Sequence, residues 1–360
     1  IFEDAAKAEE KAKEYLGTQF EFISPPRVVD VVDKAIDSML TIGKKNKHLH
    51  QYVRKQYSLW FISHYLLEHD FDKVVFQNSG YLLNVLKNQS IAAKYYGKLY
   101  YHLHNDIPDN IPIKAVIQCK LLLISEYLKK HIIETYGQNM SKQCVIVKNG
   151  FDCDRFAQNF SEKERLELKK KLRIEPNKKI IMFAGRIDKT KGILELTEAF
   201  KKLNREDTVL MVVGAHNFGS GQTSEFQKRM EREFIKLGKK VCFTGYVPYN
   251  EIWKYYKIAD IVALPSIWEE PAGLTMIEAC AAGIPLITTN SGGISEYVDN
   301  ENVMILNKNE NIVVELKATL EEILNNQDIW RKKAKQAQKN TLKNYNIKKY
   351  YNSFISGISD

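Results

Sequence analysis

The sequence predicts an α/β protein of two Rossmann-like domains, each a doubly wound parallel sheet covered by helices. The chain has 360 residues, more than the size at which one hydrophobic core usually stops growing, so two domains are expected. Its second half alternates short apolar runs with amphipathic stretches of helical period, which is typical of parallel strands covered by helices. The first half repeats this alternation less regularly.

The second half contains the clearer elements. We expect strands at Ile180–Ala184, Val209–Val213, Val241–Phe243, Ile261–Leu264 and Pro285–Thr288. We expect helices at Ile193–Leu203, Ser224–Leu237, Ile252–Tyr256 and Leu274–Ala282. Near-continuous apolar runs of this kind indicate strands that are buried on both faces.

The first half is expected to carry strands at Val74–Phe76, Lys98–Leu103, Leu121–Ile124 and Val145–Val147, and helices at Val53–His69 and Tyr81–Leu86. A polar segment, Gln158–Lys179, separates the halves as a helix plus connector. The boundary is therefore placed near residue 157, between domains 1–157 and 158–340. The chain opens on an expected helix, Asp4–Leu16, where such a domain would start with a strand and a glycine-rich turn. That first strand and loop are expected to be absent from this sequence.

The formal net charge of +9 favours an anionic partner, and a solvated basic surface is the alternative. Basic residues cluster at 44–47 and 331–335. The chain has no zinc-finger spacing, basic zipper or RNA-recognition pattern, so no nucleic-acid partner is expected.

The five cysteines form no close pair and no metal-ligand spacing, which favours a reducing compartment. No secretory signal is visible, and the apolar stretch Tyr57–Leu67 is too short to span a bilayer. The expected location is cytoplasmic, either free or peripheral at the inner face of the cell membrane.

Two glutamates follow the strand Ile261–Leu264, at the sheet edge where open α/β folds bind ligands. Glu270 lies in the loop before the helix that starts at Leu274, and Glu278 lies one turn inside that helix. Gly273 allows a ligand close to the backbone, and the first-turn amides suit phosphate oxygens. The alternative is that Glu270 favours the helix dipole and Glu278 is a solvated helix residue.

A second glycine-bracketed turn, Gly185–Gly192, follows the strand Ile180–Ala184. It contains Arg186, which can fork onto phosphate oxygens, and Lys191, which supplies a compact charge. Such cations would neutralise a departing diphosphate, and a solvated basic turn is the alternative. Weaker glycine turns follow the next two strands, at Gly214 and at Gly245.

Together these motifs resemble the donor domain of retaining glycosyltransferase family 4, within the glycosyl transferases group 1. The matching residues are Gly185, Arg186, Lys191, Gly192, Gly245-Tyr246-Val247, Pro265-Ser266, Glu270, Glu278-Ala279, Gly283-Ile284-Pro285, Gly292-Gly293 and Glu296, with Ser125-Glu126-Tyr127 and Asn149-Gly150-Phe151-Asp152 in the first half. The likeness covers about residues 98–300. It implies the GT-B fold, two Rossmann-like domains facing a cleft, and a bacterial cell-envelope or surface-polysaccharide role. It also implies that residues 341–360 form a helix returning to the first domain.

The resemblance implies a role for each matched residue. Arg186 and Lys191 would hold the donor diphosphate, Glu278 the ribose and Glu270 the donor sugar. His104 corresponds to a family histidine that contacts the sugar near its anomeric carbon. The expected catalytic set is Arg186, Lys191, Glu270 and His104. The expected donor-binding set is Gly185, Gly214, Tyr246, Val247, Ala272, Gly273, Leu274, Thr275 and Glu278, with the base near Tyr246 and Val247.

The chain also departs from the family pattern. Ala272 stands where phenylalanine is commoner, so packing around the donor sugar is expected to differ. The pair Asp152 and Asp154 looks like a metal-binding Asp-x-Asp, but aspartates in such a loop more often cap a turn or helix. We therefore expect no metal and no cofactor, with a nucleotide diphosphate sugar, most simply a UDP-sugar, as donor.

The expected reaction is a metal-independent hexosyl transfer with retention, from the nucleotide sugar to the hydroxyl of a glycan or lipid-linked acceptor. No residue stands out as a covalent nucleophile, so front-face attack is preferred, with the leaving phosphate accepting the acceptor's proton. A sugar-nucleotide epimerase and a non-catalytic partner subunit of the same fold are the alternatives. Peripheral membrane association is also expected because the basic clusters favour anionic lipid.

Overall fold

A computed structural model of the chain describes residues 47–107, 111–214 and 224–359. The expected helix Asp4–Leu16 lies outside these residues. The described residues fall into two compact units, one of residues 47–101, 107 and 111–119, the other of residues 102–106, 120–214 and 224–359. The domain boundary near residue 157 stays a prediction.

The first unit is mainly helical around its own apolar core. It contains helix α1 (Lys47–Glu68), strand β1 (Val74–Gln77), a 3-10 helix (Gly80–Lys87), helix α2 (Gln89–Lys94), the start of strand β2 (Leu99–Leu103) and helix α3 (Ile113–Val116). The expected helix at Tyr81–Leu86 is thus a 3-10 helix. Its buried residues are Gly80, Leu83, Val85 and Leu86, and three of them, Gly80, Leu83 and Leu86, are spaced by three positions, the period of a 3-10 helix.

The second unit contains the end of β2 and the remaining strands. They are β3 (Lys120–Leu123), β4 (Cys144–Ile146), β5 (Lys179–Ala184), β6 (Thr208–Val213), β7 (Val241–Gly245), β8 (Ile261–Leu264), β9 (Leu286–Thr289) and β10 (Met304–Leu306). Its helices are α4 (Glu126–Tyr136), α5 (Cys153–Ala157), α6 (Glu162–Lys171), α7 (Ile193–Leu203), α8 (Glu225–Leu237), α9 (Tyr249–Ile258), α10 (Leu274–Ala282), α11 (Ile312–Asn325), α12 (Gln327–Asn344) and α13 (Ile347–Ser359).

The strands form two sheets. A four-stranded sheet has the order β1-β2-β3-β4, in which β3 and β4 are parallel. A six-stranded parallel sheet has the order β10-β9-β8-β5-β6-β7. The central strands of this second sheet are buried along their whole length, because helices cover both faces. The predicted α/β class is therefore confirmed.

Strand order places a ligand crevice in the second sheet. From β5 the chain proceeds through β6 to β7 on one side, and then returns to β8 on the other side of β5. The carboxyl ends of β5 and β8 are therefore neighbours at the point where the direction of winding reverses. Open α/β sheets bind ligands at such a point, since the loops there diverge and leave a crevice.

Helix α13 lies against the first sheet. A Cβ placed on Gly357 would be 3.2 Å from Leu122 Cδ2 and 3.2 Å from Val147 Cγ2. The expected helix at 341–360 is divided in the structure, because α12 ends at Asn344 and α13 begins at Ile347. Among the described helices, none is long and apolar enough to cross a membrane.

Candidate active site

A cavity of about 350 Å³ opens at the carboxyl ends of β5 and β8. All of its lining residues belong to the second unit, and they come from the loops after β5 and β8, the start of α10, and the ends of β2, β3 and β4. They are His104, Asn105, Ile124, Asn149, Phe183, Ala184, Gly185, Arg186, Lys191, Leu264, Ser266, Glu270, Ala272, Gly273, Leu274, Thr275 and Met276. The cavity therefore brings together all four expected catalytic residues and five of the expected donor-binding residues.

The loop after β5 is fixed by its own hydrogen bonds and by the loop after β8. Asp188 Oδ1 accepts from the Thr190 amide at 2.8 Å and from the Thr190 hydroxyl at 2.6 Å. The Thr190 carbonyl then accepts from the amides of Ile267 and Trp268, at 2.9 and 3.2 Å. The two loops that carry the charged groups are thus held in one arrangement.

Gly192 makes this close approach of the two loops sterically feasible. Its φ is +71°, and a Cβ at this position would lie 1.8 Å from the Pro265 carbonyl oxygen. Every other residue type would strain the backbone and collide with the neighbouring main chain. The glycine therefore sets the position of Lys191, the residue before it.

Lys191 and Glu270 form an ion pair inside the cavity. The Lys191 ammonium donates to Glu270 Oε1, and the Ser266 hydroxyl donates to the same oxygen at 2.9 Å. Glu270 is only 6% exposed, so its charge depends on these partners. Arg186 comes two residues after Ala184, the last residue of β5. It is exposed and lines the same cavity.

The amino terminus of α10 adds backbone donors to the cavity. Residues 272–276 line it, and Gly273 in the N-cap position offers no side chain to cap the first turn. First-turn amides and the helix dipole together favour an anion at this place. Ala272 is among the lining residues, so its small side chain leaves room beside these amides.

Glu278 is buried within α10, which excludes its reading as a solvated helix residue. It is 5% exposed and accepts a hydrogen bond from the Tyr256 hydroxyl at 3.0 Å. Burial raises the pKa of Glu278 to about 7, against an ordinary value of 4.5, while the Tyr256 hydrogen bond opposes the shift. Glu278 lies one turn beyond Leu274 and Thr275, on the same face of the helix.

His104 reaches the cavity from the end of β2. Burial lowers its pKa, so the imidazole is neutral at neutral pH and can donate or accept a hydrogen bond. Its ring lies 4.4 Å from the His102 ring, centroid to centroid, and His102 is fully buried. Burial also lowers the pKa of His102, to about 3.

Four of the nine expected donor-binding residues lie outside the cavity lining: Glu278, and three residues further along the same sheet edge. Gly214 follows β6 and packs on the turn after β5, where a Cβ would be 1.8 Å from the Gly185 carbonyl oxygen. Tyr246 and Val247 follow β7, the edge strand; Tyr246 is exposed and Val247 is buried. The loop after Gly214 lies outside the described residues.

The cavity also includes residues that the donor and catalytic predictions omitted. Ser266 binds Glu270, and Asn149 is a buried residue whose amide donates to the Tyr297 hydroxyl at 2.9 Å. Both belong to motifs that carry the family resemblance, but each is a small polar residue without a charge of its own. Only the fold places them beside Arg186 and Lys191.

Asp152 caps a helix, as the sequence suggested for an aspartate in such a loop. Its carboxylate accepts from the Arg155 amide at 3.2 Å and caps α5, and it also pairs with the Arg155 guanidinium at 3.0 Å. Within the described part of the chain, no group of three or more His, Cys, Asp or Glu side chains is arranged to hold a metal ion.

Similar proteins are known in several bacteria. The lipopolysaccharide 1,2-N-acetylglucosaminetransferase of Salmonella typhimurium is 31% identical over 233 residues, which cover 62% of this chain and 56% of that protein. The putative glycosyltransferase YtcC of Bacillus subtilis is 27% identical over 261 residues, 71% of this chain and 61% of the relative. The chain therefore spans less than two thirds of the length of either relative.

Solved structures share the fold. The structure of Anabaena HepE in complex with UDP and glucose matches with a TM-score of 0.69 at 19% identity, over 84% of this chain and 81% of that one. A glycosyltransferase from Rickettsia africae matches with a TM-score of 0.72 at 20% identity, over 99% of this chain and 87% of that one. The predicted GT-B fold class is thereby confirmed.

One family accounts for the donor-side motifs. Residues 164–344, just over half of the chain, match the family described as glycosyl transferases group 1. This segment contains Arg186, Lys191 and Glu270 of the cavity, the amino terminus of α10, and Glu278 within that helix. The chain belongs to the glycosyl transferases group 1.

Proposed function

We propose that the chain transfers a hexosyl group, with retention, from a UDP-sugar to the hydroxyl of a glycan or lipid-linked acceptor, without a metal ion. The observation that carries this proposal is the meeting of Arg186, Lys191 and buried Glu270 in one cavity at the winding reversal of the sheet. A site with two cations, a carboxylate and helix amides suits a ligand with a diphosphate at one end and hydroxyls at the other. The names of the similar proteins support the same class of reaction.

The cations supply the charge that the leaving group needs. As the bond to the sugar breaks, negative charge grows on the diphosphate, and preorganised donors lower the barrier most where charge develops. Lys191 contributes an ammonium held by its turn, and Arg186 contributes a planar guanidinium that suits two phosphate oxygens. The first-turn amides of α10 add to this field.

The sugar end is assigned to Glu270 and His104. Glu270 can accept hydrogen bonds from sugar hydroxyls when Lys191 turns towards phosphate, so the buried carboxylate keeps partners throughout. His104, neutral because burial lowers its pKa, is assigned to a hydroxyl near the anomeric carbon. In front-face attack, the departing phosphate oxygen accepts the proton of the acceptor hydroxyl as the new glycosidic bond forms.

One of the proposed acceptors is a lipid-linked glycan at an anionic membrane surface. Helix α12 supports this because Arg331, Lys335, Lys339 and Lys343 are exposed at intervals of four residues and so share one face. Anionic lipid attracts such a basic face, and binding there would keep the chain near its acceptor.

The first test removes each cation of the cavity. In Lys191→Ala and in Arg186→Ala the rate of UDP release from UDP-glucose should fall about 100-fold or more, the usual cost of losing one preorganised donor. Lys189→Ala is the matched control, since Lys189 is exposed in the same turn and does not line the cavity. It should change the rate by no more than about twofold. Near-normal rates in both cavity variants would contradict the site assignment.

A further inference from the structure

A short segment after β9, residues 292–297, touches both the loop of Glu270 and the first sheet; we call it the clasp. The Gly293 amide donates to the Glu270 carbonyl oxygen at 2.7 Å, and the Gly292 amide donates to Glu269 Oε2 at 2.6 Å. A Cβ on Gly293 would lie 2.3 Å from the Pro271 carbonyl oxygen. One end of the clasp is thus packed against the loop that carries the catalytic glutamate.

Glu296, at the other end of the clasp, caps α4, the helix between β3 and β4 of the first sheet. Its two carboxylate oxygens accept from the Glu126 and Tyr127 amides at the start of α4, at 2.8 and 2.7 Å. The third amide of α4, on Leu128, is taken by the Ser125 hydroxyl at 3.1 Å. All three leading amides of the helix are therefore satisfied, two of them by a residue about 170 positions away in sequence.

Further bonds hold the clasp to the ends of β3 and β4 and to the residue after α12. The Glu296 carbonyl oxygen accepts from the Lys148 ammonium at 2.8 Å and from the Tyr345 hydroxyl at 3.0 Å. The Tyr297 hydroxyl donates to the Ile124 carbonyl oxygen at 2.5 Å and accepts from the Asn149 amide at 2.9 Å. The bonds to Lys148, Ile124 and Asn149 would be lost if the clasp moved away from the first sheet.

Ile124 and Asn149 line the cavity beside His104, so the clasp fixes one wall of the cavity relative to the Glu270 loop. We infer that Glu296 is a positioning residue that, through the α4 cap, holds the first-sheet wall against the sugar end of the donor. This inference rests on the proposed function. The nucleotide end depends on residues of the second sheet, so losing Glu296 should affect sugar recognition and spare UDP.

A carboxylate suits this role better than its neutral analogue. Two oxygens accept from two adjacent amides at a helix amino terminus, where the dipole also favours negative charge. In Glu296→Gln one oxygen remains, so one amide stays bonded and the charge is lost. Glu296→Gln should therefore lie between the unaltered chain and Glu296→Ala.

The test compares UDP with UDP-glucose by calorimetry on the full chain. In Glu296→Ala we expect UDP affinity to change by no more than about twofold. The extra affinity of UDP-glucose over UDP should fall about fivefold or more, as expected when a coupling of about 1 kcal/mol is lost. Amide hydrogen exchange at residues 126 and 127 should accelerate about tenfold or more, since the capping bonds are lost. Glu301→Ala, an exposed change in the following loop, is the control.

The outcomes separate the two proposals. If the unaltered chain fails to bind UDP, the proposed function is contradicted. Faster amide exchange at α4 in Glu296→Ala would in that case still show that Glu296 caps the helix. Unchanged exchange, or an unchanged preference for UDP-glucose, overturns the role of Glu296. If Glu296→Ala does not fold, Tyr297→Phe removes the bonds to Ile124 and Asn149 while keeping the ring, and it should show the same selective loss.

Discussion

Glu278 shows how burial changes the chemistry of a single residue. Its carboxyl is enclosed in α10 with the Tyr256 hydroxyl beside it, and burial raises its pKa to about 7. The unfolded chain releases this proton near pH 4.5, the ordinary value for glutamate, while the folded chain keeps it until about pH 7. The stabilising contribution of the protonated carboxyl is therefore fully present below pH 4.5 and is lost as pH rises through 7.

The pH dependence of UDP binding should have the opposite sign. If Glu278 has the ribose-binding role that the family resemblance implies, ribose hydroxyls donate to its ionised carboxylate, so UDP affinity should rise as pH rises through about 7. Glu278→Gln should weaken the dependence of UDP affinity on pH. Between pH 4.5 and 7 the free energy of unfolding of the unaltered chain decreases, and in Glu278→Gln this decrease should be smaller by roughly 1–3 kcal/mol. Calorimetry and urea denaturation across that interval measure the two effects. A UDP affinity that is independent of pH in the unaltered chain would count against the ribose assignment.

At the residue scale, sequence reasoning finds charged groups better than their partners. Glu270, Lys191 and Arg186 stand out in the sequence, and the structure places all three in one cavity. The ion pair between Lys191 and Glu270 was not predicted, because residues 79 positions apart have no local signal for contact. Burial of Glu278 was also missed, since a glutamate in an apolar helix looks the same whether its face is covered or solvated.

At the scale of single elements, the turn after β5 is the part that local chemistry determines most fully. Asp188 caps the turn, and Gly192 allows the main chain of Pro265 to approach closely. Lys191 lies between these two residues. The turn is therefore rigid before any ligand arrives, and its geometry depends on the absence of a side chain at residue 192.

Gly192→Ala should disrupt this turn. The added Cβ would meet the Pro265 carbonyl oxygen at 1.8 Å, so one of the two loops must move. We expect a loss of about 3 kcal/mol or more in the free energy of unfolding, together with weaker UDP binding. Gly137→Ala is the matched control, since Gly137 also has a positive φ, +97°, but has no atom within 4 Å of a Cβ. It should cost about 1–3 kcal/mol and leave UDP binding intact. Equal effects of the two changes in urea denaturation and calorimetry would contradict the close-approach argument.

Periodicity predicted five of the six strands of the second sheet to within two residues at each end, and it missed β10. The helices Ile193–Leu203 and Leu274–Ala282 and the strand Ile261–Leu264 occur where the sequence placed them. These elements have uninterrupted apolar patterns and end at glycines or polar turns. The 3-10 helix Gly80–Lys87 was not distinguished from an α-helix, because a period of 3.0 and one of 3.6 differ little over two turns.

At the scale of the whole molecule, charge is unevenly distributed. The chain carries a formal charge of +9, and α12 has six basic residues and a single acidic one, Asp328. Four of the basic residues, Arg331, Lys335, Lys339 and Lys343, share one exposed face. A concentrated face of one sign interacts with an anionic surface more strongly than the same charge dispersed.

Reversing charge on this face should release the chain from anionic vesicles. Lys335→Glu, Lys339→Glu and Lys343→Glu combined should weaken binding to phosphatidylglycerol vesicles about tenfold or more, at about 1 kcal/mol per surface lysine. Lys163→Glu, Lys170→Glu and Lys171→Glu on the exposed side of α6 make the same change in net charge elsewhere. Vesicle sedimentation at low and high salt measures both. Equal losses in the two triple variants would indicate a net-charge effect and contradict a specific face.

The arrangement of the site across both sheets was beyond prediction from sequence. Strand order at β5 and β8 follows from general rules, so the donor edge could be placed in advance. The role of the clasp could not, because Glu296, Tyr297 and the amides they bind are brought together by the path of the whole chain. The residues of the clasp are visible as a motif, but their partners are not.

The ion pair of Lys191 and Glu270 has a consequence for product release under the proposed function. A bound UDP-sugar offers phosphate to half-buried Lys191 and hydroxyls to buried Glu270, so both charges are satisfied at once. UDP alone satisfies Lys191 and leaves the buried carboxylate of Glu270 with the Ser266 hydroxyl but without its ammonium, which is costly. The ion pair between Lys191 and Glu270 therefore competes with bound UDP for the Lys191 ammonium. The site thus favours the UDP-sugar over UDP. The calorimetric comparison of UDP with UDP-glucose reports this preference directly.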